Sequence, residues 1–371
     1  PVAVSGDTLT YNADSFNKGT ERKLEDVLEN LPGVEINDDG QVEVEGKVVA
    51  KVMVEGKDFF DGDSKLATKN IPSNAVDKVQ VLKNYAEVGQ LSGVRNNQDN
   101  IAINIKLKEG KKNFWFGNVL AGAGEPEVHP SVESLYLIQP KLFYYSPEYS
   151  INFIGDLNNI GEVAFTRRDY FNFTGGFKRP SLSSGTNLNL GSNDIGALTL
   201  QNNRAKDINT KFGAANFSWS PKSELDLGGF AIFSNSRNEL QQNRFIQYTD
   251  AGIGIPNEET ESNTFQENNL GMLKLSTKYQ PDANNQMDYE VFAQMSKTEQ
   301  DQRFFSSINS SIDQLEEATP FNVSQNLNYY YTLDENNIFA LEAQHVIKDE
   351  DPFYNAILED KYNYDSTAAN L

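Results

Sequence analysis

The hydrophobic pattern changes once, near Gly110. Before that point, short runs of helical and strand period alternate. Leu24, Val27, Leu28 and Leu31 recur at i, i+3, i+4 and i+7, which puts them on one helical face. Thr20 is the expected N-cap, and Pro32-Gly33 the stop. Asp38-Asp39-Gly40 signals a turn into a short strand at 41–45. Gly46-Lys47 turns the chain into a β-branched run at 48–55. A short helix is expected at 65–70, ending near Pro72. Ser73 is the expected cap of a further turn before a strand at 78–82. The stretch 101–108 is a clear strand. It carries Ile101, Ile103, Ile105 and Leu107 on one face and Ala102, Asn104, Lys106 and Lys108 on the other. This mixture predicts a compact α+β domain over 1–111.

From 112 to 371 the period is two. Strand-like runs fall at 114–124, 134–145, 149–156, 208–219, 225–237, 265–279, 287–299, 320–333 and 338–348. Compact turns at 146–148, 221–224, 280–286 and 334–337 alternate with longer connections at 125–133, 157–207, 238–264 and 300–319. In one run Met287, Tyr289, Val291, Ala293 and Met295 make an apolar face. Asp288, Glu290, Gln294 and Ser296 fall between them, and Phe292 is the exception. Such walls, apolar outside and polar inside with short and long connections in alternation, mark an antiparallel membrane β-barrel. Nine strands is an odd number, so the chain is expected to be the N-terminal portion of a longer barrel. Pro1 is read as an interior start, with no signal peptide ahead of it.

Aromatic placement gives the same picture independently. Of the 41 aromatic residues only 5 precede residue 112, and many of the rest flank the compact turns. Tyr144, Tyr145, Tyr149, Trp219, Tyr279, Tyr289 and Tyr329 to Tyr331 are examples, while Phe114, Trp115 and Phe116 open the first strand. Aromatic girdles sit at membrane interfaces. A mean hydropathy of −0.56 fits a barrel, because only alternate strand residues face lipid. No apolar run is long enough for a transmembrane helix.

Charge and residue types then narrow the chemistry. The net charge is −21, of which residues 1–110 contribute 19 acidic against 13 basic side chains. That balance argues against a nucleic-acid partner. There are no cysteines, which removes disulfides, thiolate metal sites and cysteine nucleophiles. His129 and His345 are the only histidines, so a multi-histidine metal site is nearly excluded. No catalytic constellation and no phosphate-cradling loop appears. No cofactor is therefore expected, and the chain is read as a non-enzyme. Asp58, Asp61 and Asp63 are candidate calcium ligands, but their spacing is not that of an EF-hand and suits an acidic turn better. Glu258, Glu259, Glu261, Glu316 and Glu317 are expected in outer loops, where solvation competes with cation bridging to lipopolysaccharide. Phe59 and Phe60 are expected as core anchors rather than an exposed apex.

The first 112 residues closely resemble the plug domain of the TonB-dependent receptor superfamily, in the branch abundant in Bacteroidota. The matching stretches are GDTLTYNADSF (6–16), LEDVLENLPGVEINDDGQVEVEGK (24–47), VMVEGKDFF (52–60), ATKNIPSNAVDKVQVL (67–82) and NIAINIKLKEGKK (100–112). They occur in the family's order. The family motif falls on Gly6, Asp7, Leu31, Pro32, Gly33, Gly56, Phe59 and Phe60. The resemblance implies a plugged outer-membrane barrel in a Gram-negative bacterium, with the plug toward the periplasm. Its implied role is the uptake of a scarce or bulky nutrient, driven by a TonB-type energiser. Implied partners are outer-membrane lipid and lipopolysaccharide, and a surface lipoprotein or other outer-membrane subunits. Cargo would meet plug loops at 57–63, with Asp58, Asp61 and Asp63, and at 89–100, with Arg95, Asn96 and Asn97. The competing expectation is a structural subunit of a protein-export or barrel-assembly machine, with the plug as a permanent seal.

Overall fold

The computed structural model describes residues 2–37, 41–86, 100–113, 115–125, 134–162, 205–247, 257–307, 311–334, 337–359 and 367–370. The Asp38-Asp39-Gly40 turn, Phe114, His129 and most of the 89–100 loop lie outside them.

The N-terminal unit holds β1 (Val2–Ser5), β2 (Thr8–Asn12), α1 (Leu24–Leu28), β3 (Val34–Ile36), β4 (Val42–Val44), β5 (Lys47–Val48), β6 (Lys51–Val54), β7 (Lys57–Asp58), α2 (Ser64–Asn70), β8 (Val76–Lys83) and β9 (Ile101–Leu107). Six strands form one sheet in the order β1-β2-β8-β9-β6-β7, and β3-β4-β5 form a second. Within the larger sheet β6 runs parallel to β9, while its other pairings are antiparallel. β9 lies between β8 and β6, so both of its edges are paired. Ile103 and Ile105 are buried on one face, Ala102 and Asn104 on the other.

Thr20 does not cap α1. The helix starts at Leu24, whose N–H is taken by the Ile71 carbonyl at 2.8 Å, and Lys23 bridges to Pro72. The start is thus fixed by a tertiary contact. The Asp26 carboxylate accepts the N–H groups of Arg22 and Lys23 at 2.7 and 3.0 Å. These bonds, with the Arg22 amide contributing most, hold its pKa below the usual carboxylate value.

The rest of the chain is one antiparallel sheet, here called the wall. Its segments are β10 (Trp115–Gly124), β11 (Leu135–Tyr145), β12 (Tyr149–Asn158), β13 (Ala205–Lys222), β14 (Leu225–Ile246), β15 (Glu258–Asp282), β16 (Asn285–Ser306), β17 (Ser311–Ala318), β18 (Phe321–Asp334), β19 (Asn337–Asp349), β20 (Pro352–Glu359) and β21 (Thr367–Asn370). Through β16 each segment pairs with the one before it. β16 then pairs with both β17 and β18. Thr298 opposite Ala318 and Met295 opposite Phe321 belong to one register, so β17 and β18 are one strand interrupted at Thr319-Pro320. Ser296 N–H still reaches the Pro320 carbonyl at 3.0 Å. β19 and β20 likewise share one register across Glu350-Asp351, directly opposite. Pro320 and Pro352 lack the N–H a ladder needs, which accounts for breaks at these points.

The structure corrects the expected outer connections. β14 continues to Ile246 and β15 begins at Glu258, within the expected 238–264 loop. β16 runs to Ser306 and β17 begins at Ser311, within 300–319. β13 begins at Ala205. Glu258, Glu259 and Glu261 therefore stand on β15, and Glu316 and Glu317 on β17. These segments are mostly polar, with Phe245, Phe265 and Phe305 as exposed exceptions, and show no sustained alternation. Backbone pairing continues regardless, because ladder hydrogen bonds do not depend on side-chain polarity.

The outer face carries a continuous apolar row. Gly117, Leu142, Phe153, Ala215, Ala231, Leu273, Ala293, Val323 and Ile347 lie side by side across nine successive strands. Leu225, Leu227, Gly229, Ala231 and Phe233 extend it along β14, and Gly271, Leu273 and Leu275 along β15. It ends where Asn235, Asn269 and Lys297 take the same face. Nine residues of strand span about 26 Å from first to last, close to the apolar band of a membrane barrel. Its lower rim is aromatic. Tyr149 pairs with Trp219, Tyr279 and Tyr329 flank short turns, and Tyr144 stacks on Tyr149 at 5.1 Å. The inner face is mixed. Asn152 bonds Asn216 at 2.8 Å and Lys274 meets Glu290 at 3.2 Å, while Phe230, Ile232, Leu270 and Met272 join the core. Phe292, which breaks the alternation of its strand, packs against that core.

Two outcomes test this account. A Cβ on Gly117 would stand 1.8 Å from the Lys141 carbonyl oxygen. Gly117→Ala should therefore cost about 3 kcal/mol, read as a lower urea midpoint of the protein in micelles. Asp26 has a depressed folded pKa, so its contribution is present above the unfolded value and lost as pH falls through the folded one. Asp26→Asn should flatten the acid limb of the stability curve below about pH 4 and leave neutral-pH slopes unchanged.

Candidate functional site

The region that joins the N-terminal unit to the wall is built around a two-residue turn. The repeated sequence Val-Glu-Gly-Lys, at 44–47 and 54–57, makes the same hairpin twice. In the second copy Glu55 and Gly56 have φ of 53° and 79°, as a type I′ turn requires. Gly56 N–H donates to Asn104 Oδ1 at 2.8 Å, and Asn104 Nδ2 donates to Gln80 Oε1 at 2.9 Å. Glu55 N–H reaches the Ile105 carbonyl at 2.9 Å, and its carboxylate accepts the Leu107 N–H at 2.6 Å. Lys106 and Lys112 lie 3.4 and 3.7 Å from that carboxylate. These contacts bolt the turn to β9, the central strand.

Beyond the turn the chain meets the wall. Phe59 and Phe60 are fully buried, 5.0 Å apart and edge to face. Phe59 lies 6.2 Å from Phe143 of β11, which lies 5.6 Å from Phe116 of β10. Both phenylalanines are thus core anchors in the described structure. Phe60 has φ of 45°, uncommon for a bulky residue, and its surroundings hold it there. The Lys57 ammonium is buried and has no hydrogen-bond partner. Burial pushes its pKa down, and the carboxylates of Asp226, at the start of β14, and Glu148, in the β11–β12 turn, oppose that shift. Asn113 N–H donates to the Tyr145 carbonyl at 2.7 Å. Lys141 Nζ reaches the Lys69 carbonyl in the last turn of α2 at 3.5 Å, where a cation suits the helix dipole.

The other motif residues serve turns. Gly6 has φ of 56° in the β1–β2 hairpin, and the Asp7 carbonyl accepts the Lys83 N–H at 2.8 Å. Leu31 is buried. Tyr11 donates its hydroxyl to the Pro32 carbonyl at 3.1 Å, and Glu45 N–H reaches the Gly33 carbonyl at 2.8 Å. Two of the three candidate aspartates have other partners. Asp58 pairs with Lys51 at 2.8 Å, and Asp63 caps α2 by accepting the Leu66 N–H at 2.7 Å. Nothing is described of the Asp61 side chain. Among the described residues no group of three His, Asp or Glu side chains has metal-binding geometry. Arg95, Asn96 and Asn97, and Arg167, Arg168 and Asp169, lie outside the described residues. Sequence reasoning missed Glu55, the burial of Lys57, which it placed only in the 57–63 loop, and Lys141. The Val-Glu-Gly-Lys repeat was the available signal for the first two, whereas Lys141 gave none.

No protein-family model matches the chain, and no curated protein matches it. Solved structures align over nearly all of it at low similarity. A ferric enterobactin receptor mutant from Pseudomonas aeruginosa is 12% identical with a TM-score of 0.28, over 96% of this chain and 60% of that one. The siderophore receptor PirA from Acinetobacter baumannii is 11% identical with a TM-score of 0.27, over 96% and 59%. The unliganded ferric citrate transporter FecA is 11% identical with a TM-score of 0.29, over 96% and 61%. The chain thus spans about 60% of the length of these structures. TM-scores this low carry no argument about function.

The aromatic contact across the junction is directly testable. Phe59→Ala should destabilise the protein by about 3–5 kcal/mol. A double-mutant cycle with Phe143→Ala should give a coupling of about 0.5–1.5 kcal/mol, measured by urea unfolding in micelles. Zero coupling would mean the two rings do not act together.

Proposed function

We propose that this chain is the plug and N-terminal wall of an outer-membrane β-barrel of the TonB-dependent receptor superfamily, in its Bacteroidota-type branch. Its function is uptake of a scarce or bulky nutrient, powered by a TonB-type energiser. The observation that carries this reading is the apolar row across nine strands, backed on the other side by a packed domain. A soluble sheet does not leave a belt of this length and uniformity in water. The N-terminal unit acts as the plug (residues 1–111), and residues 112–371 as barrel wall.

Transport by such a device is a problem of release. The plug must leave its seat, which parts Phe59 from Phe143 and brings the buried Lys57 ammonium to water. The ammonium regains hydration as the rings lose their contact, so the two changes oppose each other. Lipid and lipopolysaccharide contact the belt and its upper margin. A surface lipoprotein over the long hairpins is a compatible partner.

Leu273 sits mid-belt, whereas Asn243 stands on the same face well above it. Leu273→Arg should cost about 2–4 kcal/mol in a bilayer and reduce folded protein in the outer membrane, while Asn243→Arg should change neither. Equal tolerance of both would remove the membrane belt. Phe59→Ala in cells should also raise sensitivity to bulky hydrophilic antibiotics several-fold, and unchanged sensitivity would count against a plugged pore.

A further inference from the structure

Above the belt, the outer face of the wall still carries exposed apolar side chains. Phe245 is 60% exposed, Phe265 45%, Phe305 42%, Phe353 47% and Ile357 40%. Each lies an even number of residues from its own strand's member of the belt row, so all five point the same way as Leu273. They stand beyond the level of Asn235, Asn269 and Lys297, where the belt ends. Along the strands, Phe265 is about 14 Å past that level and Phe245 about 34 Å.

Every one of them has a carboxylate as its direct cross-strand neighbour. Phe265 stands between Glu239 and Asp301, and Phe305 and Phe245 stand opposite Glu261 and Glu259. Phe353 is opposite Glu317, and Ile357 opposite Asp313. Within the belt the setting differs. Phe233 lies between Gly213 and Gly271, and Phe153 between Leu142 and Ala215. Lipid therefore does not account for the upper set, because it would desolvate the carboxylates along with the rings. Directly opposed side chains have Cβ atoms about 5 Å apart. A cation resting on the Phe265 ring is thus within reach of two carboxylates. Among the described residues, no cation lies at ion-pair distance from Glu259, Glu261 or Asp301.

Charge decides among the occupants. A second copy of this chain would bring the same carboxylates against the face. Lipopolysaccharide would bring phosphates, which need bridging cations. A protein surface with Lys and Arg set between apolar residues matches both components, with cations over the rings and beside the carboxylates. We propose that this face, from β14 across β15, β16 and β17 to β20, docks a basic protein partner that sits beside the barrel rather than over its mouth. The patch runs about 27 Å along the strands and about 19 Å across them, room for one side of a small, transient interface. The inference rests on the membrane-belt reading for its position outside the cell.

Biolayer interferometry on the full-length protein in phosphatidylcholine nanodiscs tests this. The probe is a peptide of alternating Arg and Leu, and the controls alternate Arg with Ser and Glu with Leu. The Arg-Leu peptide should bind, the Arg-Ser peptide more weakly and the Glu-Leu peptide not at all, and added salt should weaken binding. Phe265→Ser, Phe305→Ser, Asp301→Asn and Glu261→Gln should each weaken it about threefold. Leu275→Ala in the belt should not. The four outer variants alter exposed positions, so their urea midpoints should match the parent and separate loss of binding from loss of fold. Failure of the Arg-Leu peptide to bind would overturn the proposal. So would binding that ignores all four variants, which would reduce it to attraction by net charge. Calcium-dependent retention of lipopolysaccharide, lost with EDTA and weakened by Phe265→Ser, would give the face to lipid and also overturn it. Peptide binding that needs Phe265 in a protein tolerant of Leu273→Arg would sustain the docking face and sink the membrane reading.

Discussion

Each strand of the wall takes its place from the backbone ladder it forms with the strand before it. From β10 to β16 the pairing is sequential and antiparallel, and it continues in register across the breaks at Pro320 and at Glu350-Asp351. A single ladder fixes which side chains share a face, because each strand residue alternates sides. Slipping one strand by one residue would turn Leu273 inward and Met272 outward. The belt and the inner core are therefore two results of one register.

That register also determines what the N-terminal unit can do. Phe116, Phe143, Phe230, Ile232, Leu270 and Met272, with Ile154 and Phe212, form an apolar patch on the inner face of the wall. The unit covers it with Phe59 and its neighbours. The Phe59–Phe143 contact is apolar, with the Asn113 and Lys141 hydrogen bonds beside it. The Lys57 ammonium is buried beside this patch; burial pushes its pKa down, and Glu148 in the β11–β12 turn and Asp226 at the start of β14 oppose that shift. Glu55 and Asn104 tie the turn that presents Phe59 to the central strand.

Some of this was legible from residue order. The alternation in 287–295 marked which residues face outward, and even its one exception, Phe292, had a structural meaning. The short turns were marked by Pro, Gly, Asn and Asp. The helix at 24–28 was visible by spacing, but its start was not. Leu24 begins it because Ile71, far along the chain, takes its N–H, and no local signal reports that contact. The long polar hairpins of β14 to β17 were illegible for a related reason. A strand with polar residues on both faces has no period, and only its neighbour's backbone makes it a strand.

The sequence alone determined the two textures of the chain, the apolar face of each belt strand, the aromatic rim and the turns that need glycine. These are local properties, written in periods of two and 3.6 and in the φ angles a residue tolerates. Tertiary structure decided where α1 begins, how far the strands extend and that Asp58 and Asp63 serve an ion pair and a helix cap. It also decided that Phe59 meets Phe143, and that Phe265 stands between Glu239 and Asp301. Those residues are far apart in the chain, and only the ladder's register brings them to one level on one face.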